Sequence, residues 1–403
     1  MGYASSGNLN AITELFGIQN PNLPKDVLSS KQFATIVDVL SEGEIEGFPS
    51  AAGFTKGTAN YNIAALKDVF LGKTPVLRAN ADVTNLESTD FNFPNVGFEP
   101  RFGTNNQTFI PGIADIETET NVNVKVEKGT PVSRQITNSN VDAVRVTIKF
   151  PSLQKFKDNG DIVGSTVQVK ISILQGDGTT STPIDDEITG RSSSAYARDY
   201  RINLLDANTG TPSVFPVTIT VERVTDNAEN PAKLRDEFFF SSFTEIIDEQ
   251  KAYPDIAHVA LRFDSEQFSS VPGRMYKVRG VKIKIPHNGT VEAATGRITY
   301  SGTFNGTLTT TTHWTSDPAW ILFDLLTNTR YGLGDHITEA QLDKFAFYSA
   351  SVYCSTLVDD GLGGQEPRFS CNTILQSRQD AYEVINALTS VMRAITFWNA
   401  GSL

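Results

Sequence analysis

Between residues 119 and 226 apolar residues recur at every second position, and that alternation restricts what the chain can fold into. Val122, Val124 and Val126 alternate with polar residues. So do Val144, Val146, Ile148 and Phe150, then Val167, Val169, Ile171 and Ile173, then Val217, Ile219 and Val221. A period of two places each set on one face of an extended strand and its polar neighbours on the other. Turn signals such as Asp158-Asn159-Gly160 and Gly176-Asp177-Gly178 separate the runs, so the spacing predicts a β-sandwich over 119–226.

Strand patterns also flank this block. SKQFATIVDVLSEGEIEG, from Ser30, predicts a strand followed by a turn punctuated by Gly43 and Gly47. LKDVFLGKTPVL, from Leu66, predicts a strand, a Gly72-Lys73 turn and a second strand. These assign 30–80 to the start of a β domain, and 227–312 continues it. There Val259, Leu261 and Phe263 alternate, as do Val281, Ile283 and Ile285, and Asn305-Gly306 signals a hairpin. Residues 81–118 hold no period and are rich in Asn, Pro and Gly, so an extended arm or a connection between modules is expected. His258 is expected on the polar side of its strand.

The period turns helical at DPAWILFDLLTNTRYGLG, from Asp317. Asp317 is the predicted cap, Pro318 suits the first helical position and Gly332 offers a left-handed stop. Ala319 and Phe323, Ile321 and Leu325, and Leu322 and Leu326 are i,i+4 pairs, with Trp320 widening the stripe; a core role for Trp320 is preferred over a protein–protein contact. Thr338 and Gln341 form a capping-box pattern ahead of a second helix carrying Leu342, Phe345 and Val352. A third helix begins near Gln379, with Ala381, Val384, Ile385, Leu388 and Met392 on one face. The expectation is a three-helix lobe over 313–394, then a strand starting at Ile395 and Phe397 within 395–403. A chain halting on an open strand edge suggests a fragment, or an edge covered by another chain. Residues 1–29 read as a flexible leader, in which Ile12, Leu15 and Phe16 fit one docking helical turn. The whole is a mainly β (α+β) chain.

With 403 residues, two to four folding units are expected. The formal charge of −12 argues against gripping nucleic acid phosphates, and allows an acidic wall past which DNA slides. Two cysteines, Cys354 and Cys371, are too few for a disulfide scaffold or a four-thiolate metal site; free, mostly buried thiols are expected, with one disulfide as the alternative. No apolar run reaches the roughly 20 residues of a membrane span. The N-terminus lacks a secretion pattern, and Met1-Gly2 with Ser6 fits only the short, common myristoylation pattern.

No catalytic, cofactor-binding or metal site emerges. His258, His287, His313 and His336 lack ligand-like spacing. The acidic, glycine-rich run from Asp359 to Glu366 does not match the EF-hand and reads as a flexible turn. Glu245, Asp248 and Glu249 could serve as acid and base, but fit a solvated helical turn better. Asn106, Asn288 and Asn305 fit the glycosylation pattern and mark exposed loops.

SSFTEIIDEQKAYPDIAHVALRFDSEQF, from Ser241, resembles the family of phage lambda-like tail tip attachment proteins. The shared runs are Ser242-Phe243-Thr244-Glu245-Ile246-Ile247-Asp248, Tyr253-Pro254 and Asp264-Ser265-Glu266-Gln267-Phe268. Downstream, Ala319-Trp320, Asp324, Leu326-Thr327 and Arg330-Tyr331-Gly332 agree. So do Tyr353-Cys354, Asp360-Gly361, Gly363-Gly364, Glu366-Pro367-Arg368, Cys371-Asn372 and Trp398-Asn399. Upstream, Val37-Asp38, Ser41-Glu42-Gly43, Ile45-Glu46-Gly47 and Thr74-Pro75-Val76-Leu77 agree. The resemblance runs in order from Ser30 to Leu403; the leader and 80–118 do not align clearly.

The resemblance implies the N-terminal part of a non-enzymatic siphophage tail-tip or baseplate hub protein, located in the virion at the distal tail tip after assembly in the host cytoplasm. It implies hub β-barrel-like domains decorated by the sandwich and the small three-helix insertion, with 395–403 opening a further hub domain. Implied partners are two further copies in a homotrimer ring, distal tail ring proteins, the tape measure protein and a central fibre. DNA would cross the lumen transiently, and the host surface would be met through a C-terminal region absent here. Neither cofactor nor membrane insertion by this segment is implied. The alternative is a β-sandwich adhesin module that binds host polysaccharide.

Overall fold

The computed structural model describes residues 33–204, 212–248, 250–264, 268, 270–376 and 380–397. The expected leader, the start of the third helix at Gln379 and the shared pair Trp398-Asn399 lie outside them. Among the described residues the chain is mainly β, built from open antiparallel sheets and four α-helices, with no closed barrel.

The base of the molecule is a three-stranded sheet. Strand β1 (Phe33–Glu42) pairs with the distant Ile256–Asp264, and Gly97–Phe102 (β2) flanks it on the other side. On the central strand Val259, Leu261 and Phe263 are buried, as their alternation predicts. They pack with Phe48, Phe98 and the helix α1 (Ala59–Ala65), which contributes Tyr61, Ile63, Ala64 and Ala65. The turn expected at Gly72 joins Val69–Leu71 to Thr74–Pro75. Strand β2 corrects the loop expected over 81–118. Pro100 sits within it, and proline is tolerated there because β2 is an edge strand with one partner.

The sandwich pairs two four-stranded sheets. One runs Tyr196–Asn203, Ala143–Phe150, Phe239–Asp248 and β3 (Ala114–Lys125); the other runs Thr180–Gly190, Ser165–Leu174, Val217–Arg223 and β4 (Val132–Ile136). In chain order the other strands of the sandwich and base sheets are β5 (Ala143–Phe150), β6 (Ser165–Leu174), β7 (Thr180–Gly190), β8 (Tyr196–Asn203), β9 (Val217–Arg223), β10 (Phe239–Asp248) and β11 (Ile256–Asp264). The valine and isoleucine sets of β5, β6 and β9 fill the core between the sheets, with Tyr200, Phe238 and Phe240. The sandwich extends beyond 226, because β10 lies between β5 and β3 in its sheet. The acidic run at Glu245 and Asp248 is therefore strand, not a helical turn. Arg223 and Asp236, 2% and 4% exposed, form an ion pair at 2.6 Å. Arg223 also donates to the carbonyls of Thr225, Asp226 and Asp236, so the guanidinium staples the 224–236 loop to the core.

The helical lobe is centred on α2 (Pro318–Thr327), against which α3 (Lys344–Ser355) and α4 (Ala381–Val391) pack. Asp317 caps α2 by accepting from the amides of Ala319 and Trp320 at 3.0 and 3.1 Å, and its other oxygen accepts from Ser351 at 2.6 Å. Burial pushes the Asp317 carboxyl up, against the pull of these hydrogen bonds. Trp320 is 0% exposed and donates through Nε1 to the Tyr300 hydroxyl at 3.0 Å.

Four local expectations change. The Thr338–Gln341 box closes a separate 3-10 turn, Glu339–Gln341, while Asp343 caps α3. Gly332 does not adopt a left-handed conformation; a Cβ there would lie 2.1 Å from the Leu325 carbonyl, so glycine lets the chain fold back on the end of α2. Gly306 turns without a hairpin around it, and the hairpin lies instead at Gly289–Val291 and Ile298–Tyr300. Residues 394–397 carry no strand.

Trp320→Ala is expected to destabilise the lobe by about 3–5 kcal/mol, read by denaturant unfolding. On β1, Asp38 accepts from Arg274 at 2.6 and 2.8 Å and from Tyr276 at 2.6 Å. The Arg274 hydrogen bond is the main reason its carboxyl sits below the usual range, with burial opposing. That stabilisation is complete above the unfolded carboxylate value of about 3.9 and is lost as pH falls through the lower folded value. The melting-temperature gap between wild type and Asp38→Asn should therefore narrow as pH drops below about 4.

Candidate functional site: the inter-module junction

The chain leaves the base sheet along β2 and enters the sandwich along β3; it returns along β10 and re-enters the base sheet along β11. The two passes stay side by side. Phe102 faces Ala257 in the base sheet, and Ala114 faces Asp248 in the sandwich. The breaks between them, described at 103–113 and 250–255, form the stem of the sandwich.

One glutamine holds this stem. Gln107 Nε2 lies 3.0, 2.6 and 2.9 Å from the carbonyls of Ala252, Tyr253 and Ile256, and its Oε1 accepts from the Gly103 amide at 2.9 Å. An amide nitrogen has two hydrogens, so the three carbonyls share them. Arg101 performs the same service for the outgoing pass, donating to the carbonyls of Thr108 and Phe109, each at 2.6 Å. The returning pass needs this support, because Tyr253 (φ 47°) and Asp255 (φ 60°) occupy the left-handed region.

The end of β1 and the lobe meet at the same point. The Gly43 amide donates to the Asp255 carbonyl at 2.7 Å. A Cβ on Gly103 would lie 2.5 Å from the Gly43 carbonyl oxygen, so only glycine lets the two backbones approach. From the lobe, Arg330 Nε donates to Glu42 Oε1 at 2.9 Å and Nη1 to Asp255 Oδ2 at 3.2 Å, an oxygen that also accepts from Asn105 at 3.2 Å. Tyr331 donates to Asp324 at 2.6 Å, while burial pushes the Asp324 carboxyl up. Ser41-Glu42-Gly43, Tyr253-Pro254 and Arg330-Tyr331-Gly332, far apart in the chain, thus converge on one node. Gln107 and Arg101 escaped sequence reading because their segment lacks any period. The one available signal was glycine followed by a polar Thr-Asn-Asn-Gln run directly after a strand.

The candidate chemical residues do not converge. His258 is buried rather than on a polar face, with Nδ1 2.9 Å from the Ile256 carbonyl and its ring edge-on to Tyr253. His287 lies against Phe304, His313 Nε2 is 3.2 Å from the Thr311 hydroxyl, and His336 is exposed. No group of three His, Cys, Asp or Glu that could hold a metal occurs among the described residues. Asp360 accepts from the amides of Leu362 and Gly364, which hold its carboxyl below the ordinary range and order the glycine-rich turn between Leu357–Asp359 and Gln365–Pro367. Asp248 is engaged by Arg201, and Glu249 lies outside the described residues. Cys354 and Cys371 are free and buried, and burial pushes the Cys354 thiol up to about 12. No helix among the described residues is long and apolar enough to cross a membrane.

Residues 116–249 match the family described as tip attachment protein J, FNIII-A domain, which spans the sandwich from β3 through β10. Two relatives are similar along nearly the whole chain. Tip attachment protein J of Escherichia phage SECphi4 is 35% identical over 379 residues, covering 94% of this chain and 30% of the relative. That of Escherichia phage SECphi27 is 32% identical over 391 residues, covering 96% and 30%. The chain therefore spans about 30% of the length of these relatives. Among solved structures, GEBA250068378 from Sulfurospirillum deleyianum is 14% identical with a TM-score of 0.20, covering 33% of this chain and 98% of that one. Infectious bursal disease virus Gx strain is 9% identical with a TM-score of 0.20, covering 41% and 42%. Likeness at that level carries no structural argument.

Gln107→Leu strands several stem carbonyls and is expected to cost about 1–3 kcal/mol, with faster hydrogen exchange across 250–256. Arg330→Ala removes only part-exposed ion pairs and should cost about 1 kcal/mol or less, a difference that disappears in high salt.

Proposed function

Because this chain is the counterpart of the N-terminal part of phage lambda-like tip attachment protein J, we propose that it is a virion structural protein of a long, non-contractile phage tail, sited at the distal tip. The observation that carries this is ordered similarity over 94% and 96% of the chain to two such proteins. In this reading three copies form a hub ring that closes the tail tube, meets the distal tail ring proteins, holds the tape measure protein and carries the central fibre. Host contact belongs to the part of the relatives' length beyond the matched 30%. On contact the ring opens and DNA passes.

The physical features favour mechanical over chemical work. The node locks base sheet, sandwich stem and lobe through short, mutually satisfied hydrogen bonds. His258, Asp248 and Asp360 are each engaged locally rather than aimed into a common cleft. A net charge of −12 repels phosphate, which suits a passage that DNA must traverse without sticking. The adhesin alternative needs an aromatic platform for sugar rings. Among the described residues of the sandwich the exposed large apolar side chains are Ile116, Val124, Ile162, Leu174 and Val214, all aliphatic.

Electron microscopy of virions labelled on this chain is expected to show a three-fold ring in line with the tube. A single copy per particle, or a position along the tail shaft, would overturn the proposal.

A further inference from the structure

The lobe carries an unusual stack on its surface. The Arg368 guanidinium lies 4.5 Å over the Tyr353 ring, Tyr353 and Phe369 are 6.1 Å apart, and Arg393 lies 5.8 Å over Phe369. The four side chains form one column, Arg–Tyr–Phe–Arg. Its backbone is fixed, since the amides of Arg368 and Phe369 donate to the carbonyls of Thr356 and Cys354 at 2.9 and 3.1 Å. Stacking occupies the faces of the guanidinium groups and leaves their N–H edges for other partners. Among the described residues neither arginine forms an ion pair; Arg368 Nε is itself buried, so an outside carboxylate would be met by the terminal Nη groups. In a chain with 46 acidic and 34 basic side chains, two such arginines flanking a pair of rings call for an acidic occupant from outside.

A matching segment stands on the same lobe. The hairpin between Leu357–Asp359 and Gln365–Pro367 ends in Asp359 and Asp360 with Leu362, 93% exposed, at the tip. It offers two carboxylates and an apolar anchor; the column offers two cations flanking two rings. The hairpin springs directly from the column, with Thr356 before its first strand and Arg368 after its second. At about 3.3 Å per residue its tip is carried roughly 10 Å away, so it cannot fold onto its own base. We propose that the hairpin tip of one copy docks on the Arg368–Tyr353–Phe369–Arg393 column of the next copy. Such a head-to-tail contact joins two different surfaces and closes into a ring when the rotation between copies permits. The inference rests on the trimeric reading above and names the contact that builds it.

The test is sedimentation velocity of the full 403-residue chain over a concentration series, with melting curves to verify folding. Wild type is expected to assemble into trimers that weaken with salt. Arg368→Glu with Arg393→Glu should raise the half-assembly concentration at least about tenfold, and Asp359→Lys with Leu362→Lys should do the same. The chain carrying all four changes sets two introduced lysines against two introduced glutamates, with Asp360 still acidic, and should recover a substantial part of the lost assembly. If each double variant assembles like wild type, the contact is wrong and the trimeric reading stands. If wild type is monomeric throughout, both are wrong. Loss in both double variants without recovery in the fourfold variant overturns the pairing.

Discussion

Everything distal to the base sheet hangs on two backbone passes that must leave and return at one place. Strands β2 and β11 pair on one side of the break, and β3 and β10 on the other. A break in a sheet strands polar backbone groups, and in a half-buried stem those left without a partner are costly. Gln107 answers this with one side chain that addresses both passes, while the Gly43–Asp255 and Gly103 contacts pull the end of β1 into the same node. The left-handed conformations of Tyr253 and Asp255 persist because this network surrounds them.

The lobe is organised differently. Its polar groups are buried in the middle rather than gathered at a seam. Asp317 caps α2 with one oxygen and reaches Ser351 on α3 with the other, so helix start and helix packing share a carboxylate. Tyr300 links Trp320 and Ser351, tying the Ile298–Tyr300 strand to both helices. These bonds orient an aromatic core of Phe304, Trp320, Phe323 and Phe347 that apolar packing alone would leave less defined.

The sandwich core and α2 were legible because their signals are local. Val144 to Phe150 and Val167 to Ile173 announce their faces by period, and Asp317-Pro318 announces a helix start. What was not legible depends on distant partners. Strand β2 contains a proline and reads as loop until β11 supplies the pairing that makes an edge strand of it. Strand β10 joins the sandwich because β5 and β3 lie on either side of it, which no feature of its own residues discloses. Gly332 looked like a left-handed stop, yet its role comes from the backbone it touches. The node failed to show for the same reason: Gln107 is one polar residue among many until the three carbonyls around it are in place.

The pairing of Ala114 with Asp248 has a consequence for how such chains diversify. Entry and exit of the sandwich sit one strand spacing apart, about 4.8 Å, so the insertion presents the base sheet with a boundary condition no wider than a hairpin turn. Any domain whose own termini are adjacent antiparallel strands satisfies that condition. Recombination can therefore trade this module as a cassette while the scaffold beneath it keeps its geometry.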